Sequence, residues 1–448
     1  MKPLTLALMA ASMLTATPAL ADETDLKAEI ALLKQQLSLQ AEQIKHLEAE
    51  TDALAAAAKA PAPASPAVIQ TPPAAAPSES PAQVAEAEPA KDTTIGGYGE
   101  VAYNAYLHDS SRNQADLKRF VLFVGHSFND RLSFNSEVEW EHAVTSAEDR
   151  GESEIEQAYL NYKLGKGVSL KAGLFLMPFG FLNQSHEPPV FSGVERNEVE
   201  TRIIPSTWRE GGIALSGSTK SGFAWDLGLT TGFDVARLDD AGAPLAGSHQ
   251  ELQFAHASSL SYYGALNYRG VPGLTVGGAV FSGDSFHNNA DFKADAMQPD
   301  FTGIGGRVTL WDVHGRWQGN GLDVQAIYAR GTIGEAGKID TVIRAFNEAN
   351  GADRPLVPGA FYGWLVQGAY TAWQHGEVSV TPFARYEQFN TQAVMPAGFL
   401  ADPENADRVL TLGLSFKPVQ AVVFKADYQR FLNHTGNDRM NLGLGYMF

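Results

Sequence analysis

The sequence predicts an all-β fold: a 16-stranded antiparallel transmembrane β-barrel, preceded by a short N-terminal α-helical coiled coil. Three observations carry this. Apolar and polar residues alternate with period two through about sixteen segments between Thr94 and Phe448. The connections between those segments are alternately short and long, the pattern of tight periplasmic turns and long external loops. The chain also opens on a secretory leader, so it leaves the cytoplasm.

The leader is residues 1–21. Lys2 gives a positive start, Leu4 to Leu14 an apolar run, and Ala19-Leu20-Ala21 a small-residue cleavage site. That run is too short to span a bilayer as a helix, and no other stretch replaces it. There is no cysteine, which excludes disulfides, a lipid-anchored N-terminal Cys and a Cys-based metal site. A net charge of −18 excludes a nucleic-acid partner, which needs a basic face. A mean hydropathy of −0.16 combined with 43 glycines and 10% aromatics suits amphipathic strands better than a thick two-sided core.

Residues 22–54 are expected to form a periplasmic coiled coil. Ile30, Leu37, Ile44 and Thr51 fall at heptad position a; Leu26, Leu33, Gln40, Leu47 and Leu54 fall at d. A helix of this length is marginal alone in water, so the seam implies partners of its own kind. Residues 55–92 are an Ala/Pro-rich linker without periodicity, partly extended as polyproline II.

The barrel is expected over 93–448, with strands starting near residues 94, 116, 131, 153, 168, 209, 223, 256, 272, 303, 321, 360, 376, 408, 420 and 438. In "RLSFNSEVEWE", Leu132, Phe134, Val138 and Trp140 alternate against Asn135, Glu137, Glu139 and Glu141. The closing "MNLGLGYMF" sets Met440, Leu442, Leu444, Tyr446 and Phe448 against Asn441, Gly443, Gly445 and Met447, as expected of a last strand turned towards lipid. Strand parity points Glu100, Glu137, Glu139 and Glu141 into the lumen, and Arg119, Lys171, Arg307, Arg385 and Lys425 as well. Opposed ladders of charge set ion preference in a pore.

One connection stands apart. Met177 to Trp208 combines four prolines with Phe179, Phe181, Leu182, Val190, Phe191, Ile203, Ile204 and Trp208. Such a segment needs a surface to pack on, and the inner barrel wall provides one. It would then present Glu187, Glu195, Glu198 and Glu200, with Arg196, Arg202 and the adjoining Arg209, as constriction and solute-binding residues. The stretch after Gly331 is less apolar and is expected to stay outside. "HEPP" at His186 sets a histidine beside a carboxylate, but neighbours in an extended chain point opposite ways, so no metal or acid–base site is expected there. No Walker spacing and no Gly-x-Ser-x-Gly elbow occur; neither an enzyme nor a cofactor is expected.

"KAGLFLMPFGF", Lys171 to Phe181, leading into that long segment, and "REGGIALSG", Arg209 to Gly217, resemble the trimeric sixteen-stranded porins of the phosphate-selective type. The N-terminal arrangement is also similar to the trimeric dicarboxylate channels. The resemblance implies a homotrimer, a constriction loop and an outer-membrane porin. Phosphate selectivity in that family rests on a dense Arg/Lys ladder. Here 33 basic residues face 51 acidic ones, so the architecture carries over and the ligand does not.

The reading is therefore a passive diffusion channel in the outer membrane of a Gram-negative cell. It would pass small hydrophilic solutes, anions such as phosphate or carboxylates, with a cation-preferring pore as one alternative. A structural reading competes: an envelope tether touching peptidoglycan, with a plugged barrel as anchor.

Overall fold

The computed structural model describes residues 93–146, 149–287 and 297–448. The leader, the coiled coil and the linker lie outside the described residues. The strands are β1 (Thr93–Tyr106), β2 (Gln114–Ser127), β3 (Leu132–Glu141), β4 (Ser153–Gly165), β5 (Val168–Leu176), β6 (Arg209–Ser218), β7 (Phe223–Thr230), β8 (Ser261–Tyr268) and β9 (Leu274–Gly283). They continue as β10 (Val308–Gly319), β11 (Leu322–Ile333), β12 (Ala360–Tyr370), β13 (Trp373–His375), β14 (Val378–Val394), β15 (Ala406–Val419), β16 (Val422–Phe431) and β17 (Arg439–Met447). Both β12 and the short β13 pair with β14, so they are two pieces of one stave and the barrel has sixteen.

Every stave pairs antiparallel with its sequence neighbours, and β1 also pairs with β17. At the seam Tyr98 faces Met447 and Tyr106 faces Arg439. Phe448 extends the seam with its backbone, donating to the Gly97 carbonyl at 2.9 Å and accepting from the Gly97 amide at 3.0 Å. Closure leaves no unpaired edge, which a strand fold in hydrocarbon requires.

Burial is inverted relative to a water-soluble sandwich. Large apolar side chains point outward on stave after stave: Leu442 is 55% exposed, and Ile213, Leu227, Val313, Leu412 and Phe424 are exposed with it. The opposite parity carries buried Asn441, Asp427, Gln429, Asp312, Gln325 and Gln367. An apolar outer band over a polar interior fits lipid outside and water or protein inside. Among the described residues no helix is long and apolar enough to cross a membrane.

Two strands begin later than their apolar pattern indicates. β8 starts at Ser261 rather than near 256, because the Gln250 side chain takes both the amide and the carbonyl of His256 and ties that residue to the loop. β10 starts at Val308 rather than near 303, because Gly303 and Gly306 adopt positive φ, 81° and 55°, and break the extended run. Arg307 therefore lies before β10 and is exposed, donating to the Ser282 hydroxyl at 3.3 Å, not on a lumen-facing strand position.

The long connections are not simple external loops. Met177, Phe179, Ile203, Ile204 and Trp208 join Phe233, Leu238 and Leu245 of the β7–β8 connection in one buried apolar cluster inside the barrel. Trp208 lies 4.9 Å from Phe179, stacks on Phe233 at 4.8 Å and meets Phe281 edge-on at 5.1 Å, centroid to centroid. The stretch after Gly331 also differs from expectation. It forms a helix, α2 (Ala336–Asn350), following the four-residue α1 (Val199–Arg202) in chain order. Its Ile339 and Ile343 are one helical turn apart and bury in the same cluster.

Candidate functional site

The site is built by one crossing segment and the wall it meets. Residues 177–208 leave β5 and return in β6, yet their hydrogen bonds reach the far side of the ring. The Glu198 amide donates to Glu387 Oε2 on β14 at 2.7 Å, and the Val194 amide to Asp427 Oδ2 on β16 at 2.6 Å. β14 belongs to the thirteenth stave, eight away from β5 in a ring of sixteen. The base of the segment is pinned by Asn183, whose side chain donates to the carbonyls of Met177 and Trp208 at 2.7 and 2.8 Å and accepts the Trp208 amide at 2.7 Å.

The opposite wall is cut to receive it. A Cβ at Gly445 of β17 would lie 2.2 Å from the Pro188 Cβ, and one at Gly363 of β12 would lie 2.9 Å from Ile203 Cγ1. These glycines allow a close approach that no larger residue permits.

Glu195 and Glu198 anchor the charged part. Glu195 accepts from Lys118 Nζ at 2.6 Å and from Asn104 Nδ2 at 2.9 Å. Burial alone would raise its pKa, but the Lys118 ammonium and then the Arg439 guanidinium outweigh that and hold the carboxyl at about 2. Glu198 accepts from Arg202 Nε at 2.5 Å and lies 3.9 Å from Arg439. Arg196 is buried, donates to the Ser206 hydroxyl, and leaves its Nε and second terminal nitrogen without a hydrogen-bond partner. Lys118, Arg119, Arg196, Arg202 and Arg439 line a cavity of about 310 Å³ together with Glu195, Glu198, Thr201 and Ser206. Five cations thus surround two carboxylates. Guanidinium groups in such a lining suit the oxygens of carboxylates and phosphate.

The other candidates fall into two groups. Glu200 and Arg209 hold the segment in place, Glu187 is buried within it, and none of the three lines the cavity. Glu200 is buried and accepts from the Phe181 and Leu182 amides at 2.5 and 2.8 Å and from Asn197 Nδ2 at 2.7 Å. Burial raises its pKa, against the hydrogen bonds from Leu182, Asn197 and Phe181. Glu187 is buried just before a short 3₁₀ turn at Pro188–Val190. Arg209 is 2% exposed and bonds Glu154 at 2.5 Å and Glu251 at 2.8 Å.

The strand-borne charges are mostly paired on the wall. Arg119 meets Glu100 at 2.8 Å and Glu139 at 3.6 Å. Lys171 lies 4.0 Å from Asp226 and over the Tyr159 ring. Arg385 pairs with Glu387 at 2.9 Å and reaches the Ser192 carbonyl. Lys425 sits 3.6 Å above the Phe191 ring. Glu137 is buried on β3, and Glu141 is partly exposed at its end.

One cavity cation, Lys118, escapes a reading by strict alternation. Lys118 is adjacent to Arg119, so a regular β2 would turn one of them to lipid at about 2–4 kcal/mol near the midplane. Instead the β1–β2 register shifts, with Glu100 opposite Arg119 and Val101 opposite Leu117, so Lys118 is the extra residue of a bulge and turns inward. Two consecutive charges in a lipid-spanning strand are the signal for such a bulge. Arg439 shares the parity of Asn441 and Gly443 and falls inside the strand expected from about 438.

Comparisons with known proteins follow this geometry. The phosphate-selective porin O and P family matches residues 97–203, from β1 into the crossing segment. An uncharacterized protein of Aquifex aeolicus is 33% identical over 364 residues, 80% of each chain. A Salmonella typhi OmpF complex with daunomycin aligns with a TM-score of 0.53 at 15% identity, covering 80% of this chain and 97% of that one, which shows the fold alone. The outer-membrane channel DcaP of Acinetobacter baumannii aligns over the same shares at 13% identity with a TM-score of 0.48.

Proposed function

The chain belongs to the phosphate-selective porin O and P family and is an outer-membrane porin, and from that premise we propose that its channel passes small hydrophilic solutes with a preference for anions, carboxylates and phosphate being the solute class. The observation that carries this is the cavity lined by five cations and two carboxylates, in a chain whose overall charge has the opposite sign. Ion preference follows the charges next to the path, because salt screens those more than about 10 Å away.

In this reading Glu195, Arg196, Glu198 and Arg202 face the solute, while Glu200 and Arg209 position the segment. The test is the reversal potential of the protein in a planar bilayer under a KCl gradient. Chloride preference is expected. A potential of the cation sign would overturn the proposal, and no resolvable current would favour the tether with a plugged barrel. The expected chloride preference should stay constant from neutral pH down to about 4.5, because Glu195, held at about 2 against an ordinary 4.5, keeps its charge over that range, and its protonation below it would only strengthen the preference. Its folded pKa is depressed, so the stability from its tether is present above 4.5 and is lost as pH falls towards 2.

Residues 1–21 are read as a cleaved leader, 22–54 as a periplasmic coiled coil and 55–92 as its linker. The heptad seam supports self-association in the outer membrane, and the likeness to porins supports three chains. Native mass spectrometry in mild detergent should give trimers, fewer once Thr24 to Leu54 is deleted. Monomers alone in the full-length protein would remove this part.

A further inference from the structure

Where the crossing segment leaves β5, His186 turns back against β3 and β4. Its Nε2 lies 3.3 Å from Glu156 Oε1 and 3.9 Å from Glu137 Oε1, and all three residues are buried. Among the described residues this is where three side chains of metal-ligating type gather, each offering one atom, all within 4.8 Å of one another. No hydrogen bond reaches His186 Nε2, Glu137 Oε1 or either Glu156 oxygen. Unpaired polar atoms at such depth are costly, and two carboxylates facing an imidazole nitrogen call for a positive charge at that point, either a proton on Nε2 or a metal ion.

The surroundings orient each group towards that point. His186 Nδ1 lies 3.3 Å from the Asn183 carbonyl, which can only accept. Nδ1 therefore carries the proton, and in the neutral ring Nε2 presents its lone pair to the carboxylates. Tyr98 meets the imidazole edge-on at 5.9 Å. Gln157 Nε2 donates to Glu137 Oε2 at 2.6 Å and leaves Oε1 facing inward. On β4 the register jumps from Gln157 opposite Glu137 to Ile155 opposite Val138, so Glu156 is a bulged residue. Ile155 stays on the lipid side while Glu156 and Gln157 both reach Glu137. Arg119 is engaged by Glu100 and Glu139 and is not the missing cation.

We propose that Glu137, Glu156 and His186 bind one divalent first-row transition ion, which clamps the crossing segment to the barrel wall. One imidazole with two carboxylates suits Zn²⁺ or Mn²⁺, whereas Ca²⁺ and Mg²⁺ take oxygen-only sets. An ion bonded at about 2.1 Å to each ligand in tetrahedral array separates them by about 3.4 Å, close to the 3.3 Å between His186 and Glu156, with Glu137 about half an ångström further out. None of the three residues lines the solute cavity, and the proposal does not depend on which ion the channel passes.

The test uses the untagged full-length protein, stripped with EDTA, dialysed, and titrated with ZnCl₂ or MnCl₂ alone by calorimetry. One ion per chain is expected, undiminished by excess Mg²⁺. His186→Gln and Glu156→Gln should each weaken it at least about a hundredfold, since even outer-shell losses reach that range. Heat-modifiable gel mobility establishes that each variant barrel is folded. In the wild type, saturating Zn²⁺ should also slow proteolysis of the crossing segment. No saturable binding by the wild type, or equal binding by the folded variants, would overturn the proposal.

Discussion

Replacing Lys118, Arg196 and Arg439 together with glutamine abolishes the anion preference of the channel. All three line the cavity, and none is the sole support of a strand. A unit charge about 5 Å from a passing ion is worth about 0.8 kcal/mol at the dielectric constant of water. Three such charges, allowing for screening, shift the balance by roughly 2 kcal/mol, on the order of thirtyfold in the anion-to-cation permeability ratio. Glu195 and Glu198 then dominate with only Arg119 and Arg202 against them, and Arg119 is already engaged by Glu100. The measurement is the reversal potential under the gradient used for the wild type. An unchanged potential would place the solute path elsewhere. Arg209→Gln serves as contrast: that guanidinium is paired on both sides by Glu154 and Glu251, so it should leave selectivity nearly unchanged.

Excising residues 185–207 behind a short Gly-Ser bridge raises single-channel conductance several-fold. A sixteen-stave barrel leaves a wide aqueous lumen unless something fills it, and this segment crosses from β5 to β14 and β16. The bridge is short because Asn183 already bonds both ends of the segment. Asp427 and Glu387 lose their backbone partners but gain lumen water, so the wall tolerates the change. Gly445→Val supplies a version without deletion: its side chain occupies the space of Pro188, unseats the segment and should give a noisier, larger current. If excision leaves conductance at the wild-type level, the segment does not restrict the path.

Most of the barrel is legible in the chain because its signal is local. Period two and turn length are written within ten or so residues, and all sixteen staves start within five residues of the positions read from that pattern. The two largest offsets, at β8 and β10, arise where a distant side chain or a glycine pair intervenes. The crossing segment was also readable, since an apolar, proline-rich run between two lipid-facing strands has few surfaces to cover. The stretch after Gly331 misled because its apolar residues are spaced for a helix face, Ile339 with Ile343, and not massed together.

The stave count, the two faces, the order of short and long connections and the one connection massed with prolines and large apolar residues are all local properties of the chain. Alternation and loop length need no partner from elsewhere in the chain. Which charges share the cavity depends on contacts between distant strands. The bulges at Lys118 and Glu156 break the parity rule, and the register of a neighbouring strand sets them. Glu200 and Arg209 carry the right charge for a pore, yet amides and carboxylates that meet only in the folded barrel turn them to support. His186 gains its two carboxylates from strands about thirty and fifty residues earlier, and no local pattern encodes a contact at that separation.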